Sequence, residues 1–106
     1  MPVPEKRITL REDGRTMILA HNEITWIEAA DHYLFVHTVE GKHHMVRQSM
    51  ENIENSLENP SFVRIHRSRL VNLQHVRECI SIDGEQLLTL DNGTKLKISR
   101  RQYREL

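Results

Sequence analysis

Short apolar runs separated by glycine-bearing dipeptides set the rhythm of this chain. All four glycines lie in Asp13-Gly14, Glu40-Gly41, Asp83-Gly84 and Asn92-Gly93. Glycine takes positive φ without steric cost, and Asp-Gly or Asn-Gly between apolar runs favours the tight turn of a β-hairpin. The flanking runs Met17 to Leu19, Ile24 to Ile27, Tyr33 to Val36 and Leu87 to Leu90 are β-branched, aromatic or leucine-rich. They are too short for ordinary helices. The pattern predicts a mainly β domain of short antiparallel strands.

Two segments depart from that rhythm. From Ser49 to Leu57 the apolar residues Met50, Ile53 and Leu57 recur at helical spacing behind a capping serine, and Asn59-Pro60 closes the segment. One short internal helix is predicted there. Its residues Glu51, Glu54 and Glu58 form an acidic stripe, expected to be a solvated face. The second segment, Ser99-Arg100-Arg101-Gln102, fits a capping box and is followed by Tyr103 and Leu106, which predicts a short C-terminal helix. Residues 1–6, with Pro2 and Pro4, read as an N-terminal tail or linker remnant, and 7–106 as a single domain.

A length of 106 residues suits one core and one function. With 38% hydrophobic and 28% charged residues the chain is polar but rich enough in apolar side chains to fold. The single cysteine, Cys79, excludes a disulfide framework and a thiolate zinc site, and its apolar setting suggests inert packing. No signal peptide or long apolar run is present, so a cytoplasmic location without membrane contact is expected. His43 and His44 are adjacent, and adjacent strand residues point to opposite faces, so with His37 they do not form a metal site. The chain lacks Gly-x-Ser-x-Gly, His-Glu-x-x-His and a phosphate loop. Neither catalysis nor a cofactor is expected.

Fifteen basic and fifteen acidic residues cancel to a net charge of zero, but their placement is uneven. Residues 61–77 hold Arg64, Arg67, Arg69, Arg77, His66 and His75 without an acid, and residues 94–104 hold Lys95, Lys97, Arg100, Arg101 and Arg104, again without one. If the two windows meet in space they make a positive surface suited to phosphate, with the acidic helix turned away from it. Arg100 and Arg101 fall in the first turn of the expected terminal helix, where cations oppose the helix dipole. That local conflict points to an anion partner.

Larger blocks of the sequence also match a known pattern. Ile24-Thr25-Trp26-Ile27-Glu28-Ala29, Tyr33, Val36, Val46-Arg47-Gln48-Ser49-Met50, Phe62-Val63-Arg64-Ile65-His66-Arg67-Ser68, Val71-Asn72, Leu90-Asp91-Asn92-Gly93 and Ile98-Ser99-Arg100-Arg101 closely resemble the LytTR DNA-binding domain, from about Ile8 to Leu106. The resemblance implies several small antiparallel sheets and sequence-specific binding of double-stranded DNA by loops in successive major grooves. Such domains are outputs of bacterial transcriptional regulators, commonly behind a receiver domain in a parent chain. It also implies two repeated half-sites and a homodimer on DNA. Carried over by position, the base-contacting residues are His32, Arg67 and Arg101, with Asp31 or Tyr33 as neighbours of the first. Arg47, Ser68, Arg69, Lys97 and Arg100 are phosphate-contacting candidates. His66 and Asn72 read as structural, the one bonding the neighbouring loop and the other capping a turn. Two other classes stay open, a β-rich RNA or single-strand binder and a protein-interaction module. The former stacks bases on aromatics, of which this chain has five: Trp26, Tyr33, Phe35, Phe62 and Tyr103.

Overall fold

The structure is a computed structural model that describes residues 6–99. Among these residues there are ten strands: β1 (Arg7–Glu12), β2 (Arg15–Ala20), β3 (Ile24–Ala30), β4 (Tyr33–Thr38), β5 (His43–Val46), β6 (Phe62–His66), β7 (Arg69–Asn72), β8 (Val76–Ile82), β9 (Glu85–Leu90) and β10 (Lys95–Ile98). A helix, α1 (Met50–Leu57), follows β5, and single 3-10 turns at His21–Glu23 and Leu73–His75 precede β3 and β8. The strands form a β1-β2 hairpin, a β10-β9-β8 sheet and a central sheet ordered β5-β4-β3-β7-β6. Every pairing is antiparallel.

The turn chemistry explains the hairpins. Asp13 and Gly14 have φ of 43° and 75°, and Asp83 and Gly84 have 51° and 78°. Positive φ at both central residues gives the backbone twist that joins two right-twisted strands. The hairpin joining β3 to β4 has no glycine; Asp31 takes the left-handed conformation instead, at φ 56°, and aspartate tolerates that region better than most residues. Helix α1 begins as its sequence predicts, with the Ser49 hydroxyl accepting the Asn52 N–H at 3.1 Å. Met50, Ile53 and Leu57 are buried.

The central sheet carries a core on each face. Ile27 of β3 joins Leu34, Val36, Leu70 and the α1 residues beneath the β1-β2 hairpin, and Ile24, which strict alternation would send to the other face, joins them across the irregularity between Ile24 and Trp26. On the other face Trp26, Ile65 and Val71 pack against Leu88, Leu90, Leu96 and Ile98 of the β8–β10 sheet. Register shifts in β3 between Ile24 and Trp26, and in β6 between Arg64 and His66, adjust which face each side chain reaches. Two expectations fail here. Cys79 is exposed on β8 rather than packed, because most of β8 lies beyond the reach of the core it borders. The acidic stripe is also not wholly solvated: Glu54 is half-buried and pairs with Arg64 of β6. The expected C-terminal helix lies outside the described residues, as do Arg100 and Arg101.

Candidate nucleic-acid interface

Strand register gathers His32, Arg47, Arg67, Ser68 and Arg69 at one end of the central sheet. Ala30 pairs with Tyr33, which puts the Asp31-His32 turn at that end. Leu34 pairs with Val46, so the chain leaving β5 at Arg47 comes out beside the start of β4. Glu28 pairs with Arg69 and His66 with Arg69, so the Arg67-Ser68 turn emerges there as well. The Ser99 N–H donates to the Ile65 carbonyl at 2.9 Å. The second basic window therefore meets the first at the same end.

The individual side chains differ in how they are held. His32, Arg47 and Arg67 are exposed, and Arg69 is half-buried. No carboxylate among the described residues pairs with Arg47, Arg67 or Arg69, and the buried Arg69 Nε has no hydrogen-bond partner there. Lys97 is exposed on β10, but its Nζ lies 2.9 Å from Glu85 Oε1. His32, Tyr33, Arg47, Gln48 and Ser49 border an open groove of about 470 Å³ between the β3-β4 turn and the start of α1.

The Arg67-Ser68 turn is fixed through its backbone. The Ser68 N–H donates to His66 Nδ1 at 3.1 Å, and the Ser68 hydroxyl lies 2.8 Å from the same nitrogen. The Ser68 carbonyl accepts the Ala29 N–H at 2.8 Å. An Arg64 guanidinium N–H donates to the Arg67 carbonyl at 2.9 Å, and the other end of that guanidinium meets Glu54 of α1. Sequence reasoning placed α1 away from the basic surface; instead its Glu54 holds the arginine that buttresses the turn. No local signal could reveal this, because residues 54 and 64 come together only through the packing of α1 on the sheet. The expectation for His66 holds: its ring binds the adjoining turn. Burial, the Arg69 charge and the Arg67 charge, in that order, hold its pKa below the usual 6.5.

Asn72, at the far end of the sheet, is the expected cap. Its Oδ1 accepts the Gln74 N–H at 3.0 Å, and its Nδ2 donates to the carbonyls of Ile24 and His21 at 2.9 and 3.3 Å. His75, though part of the first basic window, also lies at that far end, 3.2 Å from Asp91 Oδ2. His43 and His44 take opposite faces, His43 beside Phe35 and His37 and His44 near Glu12.

This arrangement has relatives. The family model of the LytTr DNA-binding domain matches residues 14–106. The chain is 36% identical over 70 residues to the CO-responsive transcriptional regulator RcoM of Rhodospirillum rubrum, covering 66% of this chain and 29% of that protein. It is 25% identical over 109 residues to the heme-containing CO-sensing transcriptional regulator RcoM 1 of Paraburkholderia xenovorans, covering 99% of this chain and 40% of that protein. The chain thus spans less than half the length of these curated relatives. A solved LytTr DNA-binding domain from Bacillus cereus superposes with a TM-score of 0.81 at 24% identity, covering 96% of this chain and 94% of that one. That likeness is one of fold.

Proposed function

Because the chain belongs to the LytTR DNA-binding domain family, whose members serve transcriptional regulators, we propose that the loop end of its central sheet is the surface that reads duplex DNA. Arg67 and His32 contact base edges from two different turns, and Arg101 does so from the segment after Ser99. Arg47, Ser68, Arg69, Lys97 and Arg100 hold the backbone. The observation that supports this most is the convergence of Arg47, Arg67 and Arg69 at one end with no carboxylate partner among the described residues. Unpaired guanidinium groups on a preorganised turn meet phosphate and guanine at little reorganisation cost. A loop rather than a helix delivers them, since α1 has its apolar side buried in the core and contributes a carboxylate to the turn.

Two repeated half-sites, one for each copy of the domain, complete this reading. Among the described residues no helix is long and apolar enough to cross a membrane. The test is selection from a randomised duplex library followed by titration of the enriched sequence at several salt concentrations. Affinity should fall with a log–log slope of about 0.9 per neutralised phosphate. A flat salt response removes the DNA reading, and tighter binding of single-stranded DNA or RNA of the same length replaces it with the single-strand one.

A further inference from the structure

Asparagines at three positions accept the backbone N–H two residues further on. Asn59, Asn72 and Asn92 take it through Oδ1, each at 3.0 Å from the nitrogen of Ser61, Gln74 and Thr94. At the Arg67-Ser68 turn the same bond is made by a histidine, with Nδ1 in place of Oδ1 and Ser68 N at 3.1 Å. Both acceptor atoms stand one bond beyond Cγ, so the two side chains close the same small ring. A backbone N–H can only donate. Nδ1 therefore carries the lone pair, and the ring proton sits on Nε2.

We propose that His66 is a positioning residue for DNA recognition: its neutral imidazole, through Nδ1, holds the Arg67-Ser68 turn in the shape that aims Arg67 at a base. This rests on the DNA reading above and adds to it a residue that acts without touching a base. The charges that act on the ring are those of Arg69 and Arg67. Arg67 lies in its own turn and Arg69 opposite on β7; Arg64, two residues before it, is tied to Glu54. Glu28 on β3 faces Arg69, one strand beyond. On the side of β10, Ser99 binds the Ile65 carbonyl. Partial burial, then the Arg69 and Arg67 charges, favour the neutral ring by holding its pKa below the usual value. Protonation at Nδ1 removes the acceptor and sets two N–H groups against each other.

The experiment compares His66→Asn, His66→Gln and His66→Ala against a library of single-base changes in the selected duplex, with thermal melting to establish that each variant is folded. Asparagine restores an acceptor at the same bond distance and should stay within about threefold of the original affinity with the same base preferences. Glutamine moves the acceptor one bond outward and alanine has none. Both should lose about tenfold or more on the selected duplex, and the preference at the base read by Arg67 should flatten. Scrambled duplex should bind all variants within about threefold, because phosphate contacts do not need the aim of Arg67. Lowering the pH from 7 to 5 should erode that preference in the original protein and spare it in His66→Asn. Imidazole nitrogen NMR at neutral pH should show His66 unprotonated at Nδ1. Alanine matching the original protein overturns the proposal, and so does equal loss in all three variants, which would make the ring itself a DNA contact. Absence of any sequence preference in the original protein is a different result. It overturns the DNA reading, and this inference with it.

Discussion

Where β3 and β7 run into their 3-10 turns, Asn72 is almost fully buried and uses both ends of its amide on backbone groups. His21 and Asn59 lie 3.0 Å apart beside it. At the opposite end of the same two strands Arg67 is exposed, and neither it nor Arg69 meets a carboxylate among the described residues. The first end turns polar side chains inward to complete the backbone; the second ties its turn through the Arg67 carbonyl and the Ser68 N–H and carbonyl but leaves cationic side chains over. Burying a polar group without a partner costs about 1 to 3 kcal/mol, so the first end has little freedom to vary. At the second, Arg67 keeps its charge in water, where substitution costs little stability. On the proposed reading, stability and recognition fall to opposite ends of one sheet.

The strongest way to break this comparison is Asn72→Ala. It strands two buried carbonyls and one N–H, so we expect a loss of about 3 kcal/mol, or on the order of 15 °C in thermal melting for a domain of this size. DNA affinity of the fraction still folded should be nearly unchanged. A melting temperature within a few degrees of the original would show that the capped end is not the stabilising one. Arg67→Ala is the mirror experiment. Stability should stay within about 0.5 kcal/mol, while discrimination at one base position falls by about 1 to 3 kcal/mol; a uniform loss across the single-base library would make Arg67 a phosphate contact. Lys97→Ala should have the smallest effect, since Glu85 already neutralises part of its charge. It should weaken selected and scrambled duplex by the same factor and lower the salt slope by at most about one contact. Any change in base preference would move Lys97 among the readers.

How far the sequence foretold each end follows the range of the interactions involved. The hairpin turns at Asp13-Gly14 and Asp83-Gly84 were legible because their geometry depends on two adjacent residues. Helix α1 was legible because a serine cap and three apolar positions suffice to define it. The inward role of Asn72 and the turn-binding role of His66 followed from residue type and neighbourhood. The Arg64–Glu54 pair and the exposure of Cys79 were not legible, because each depends on how one sheet packs against another element. The pairing of β3 with β7, which carries Arg67 toward the Asp31-His32 turn, joins residues 26–28 to 69–71, and no local pattern encodes that partner. The site residues themselves came from a family resemblance; the structure shows which of the described ones are unpaired and how the Arg67 turn is held.

That same pairing has a kinetic consequence. The β1-β2 hairpin and the β8–β9–β10 meander join neighbours in the chain and can close early, whereas the β3–β7 ladder must first close a loop of roughly forty residues, a slower search. The turn bearing Arg67 borrows the Ala29 amide from across that ladder, so it is complete only when the long loop is. A partly folded chain would therefore carry finished hairpins and an unfinished Arg67 turn. In refolding, recovery of duplex binding should coincide with the slowest change in Trp26 fluorescence, and binding that returns earlier would separate the two events.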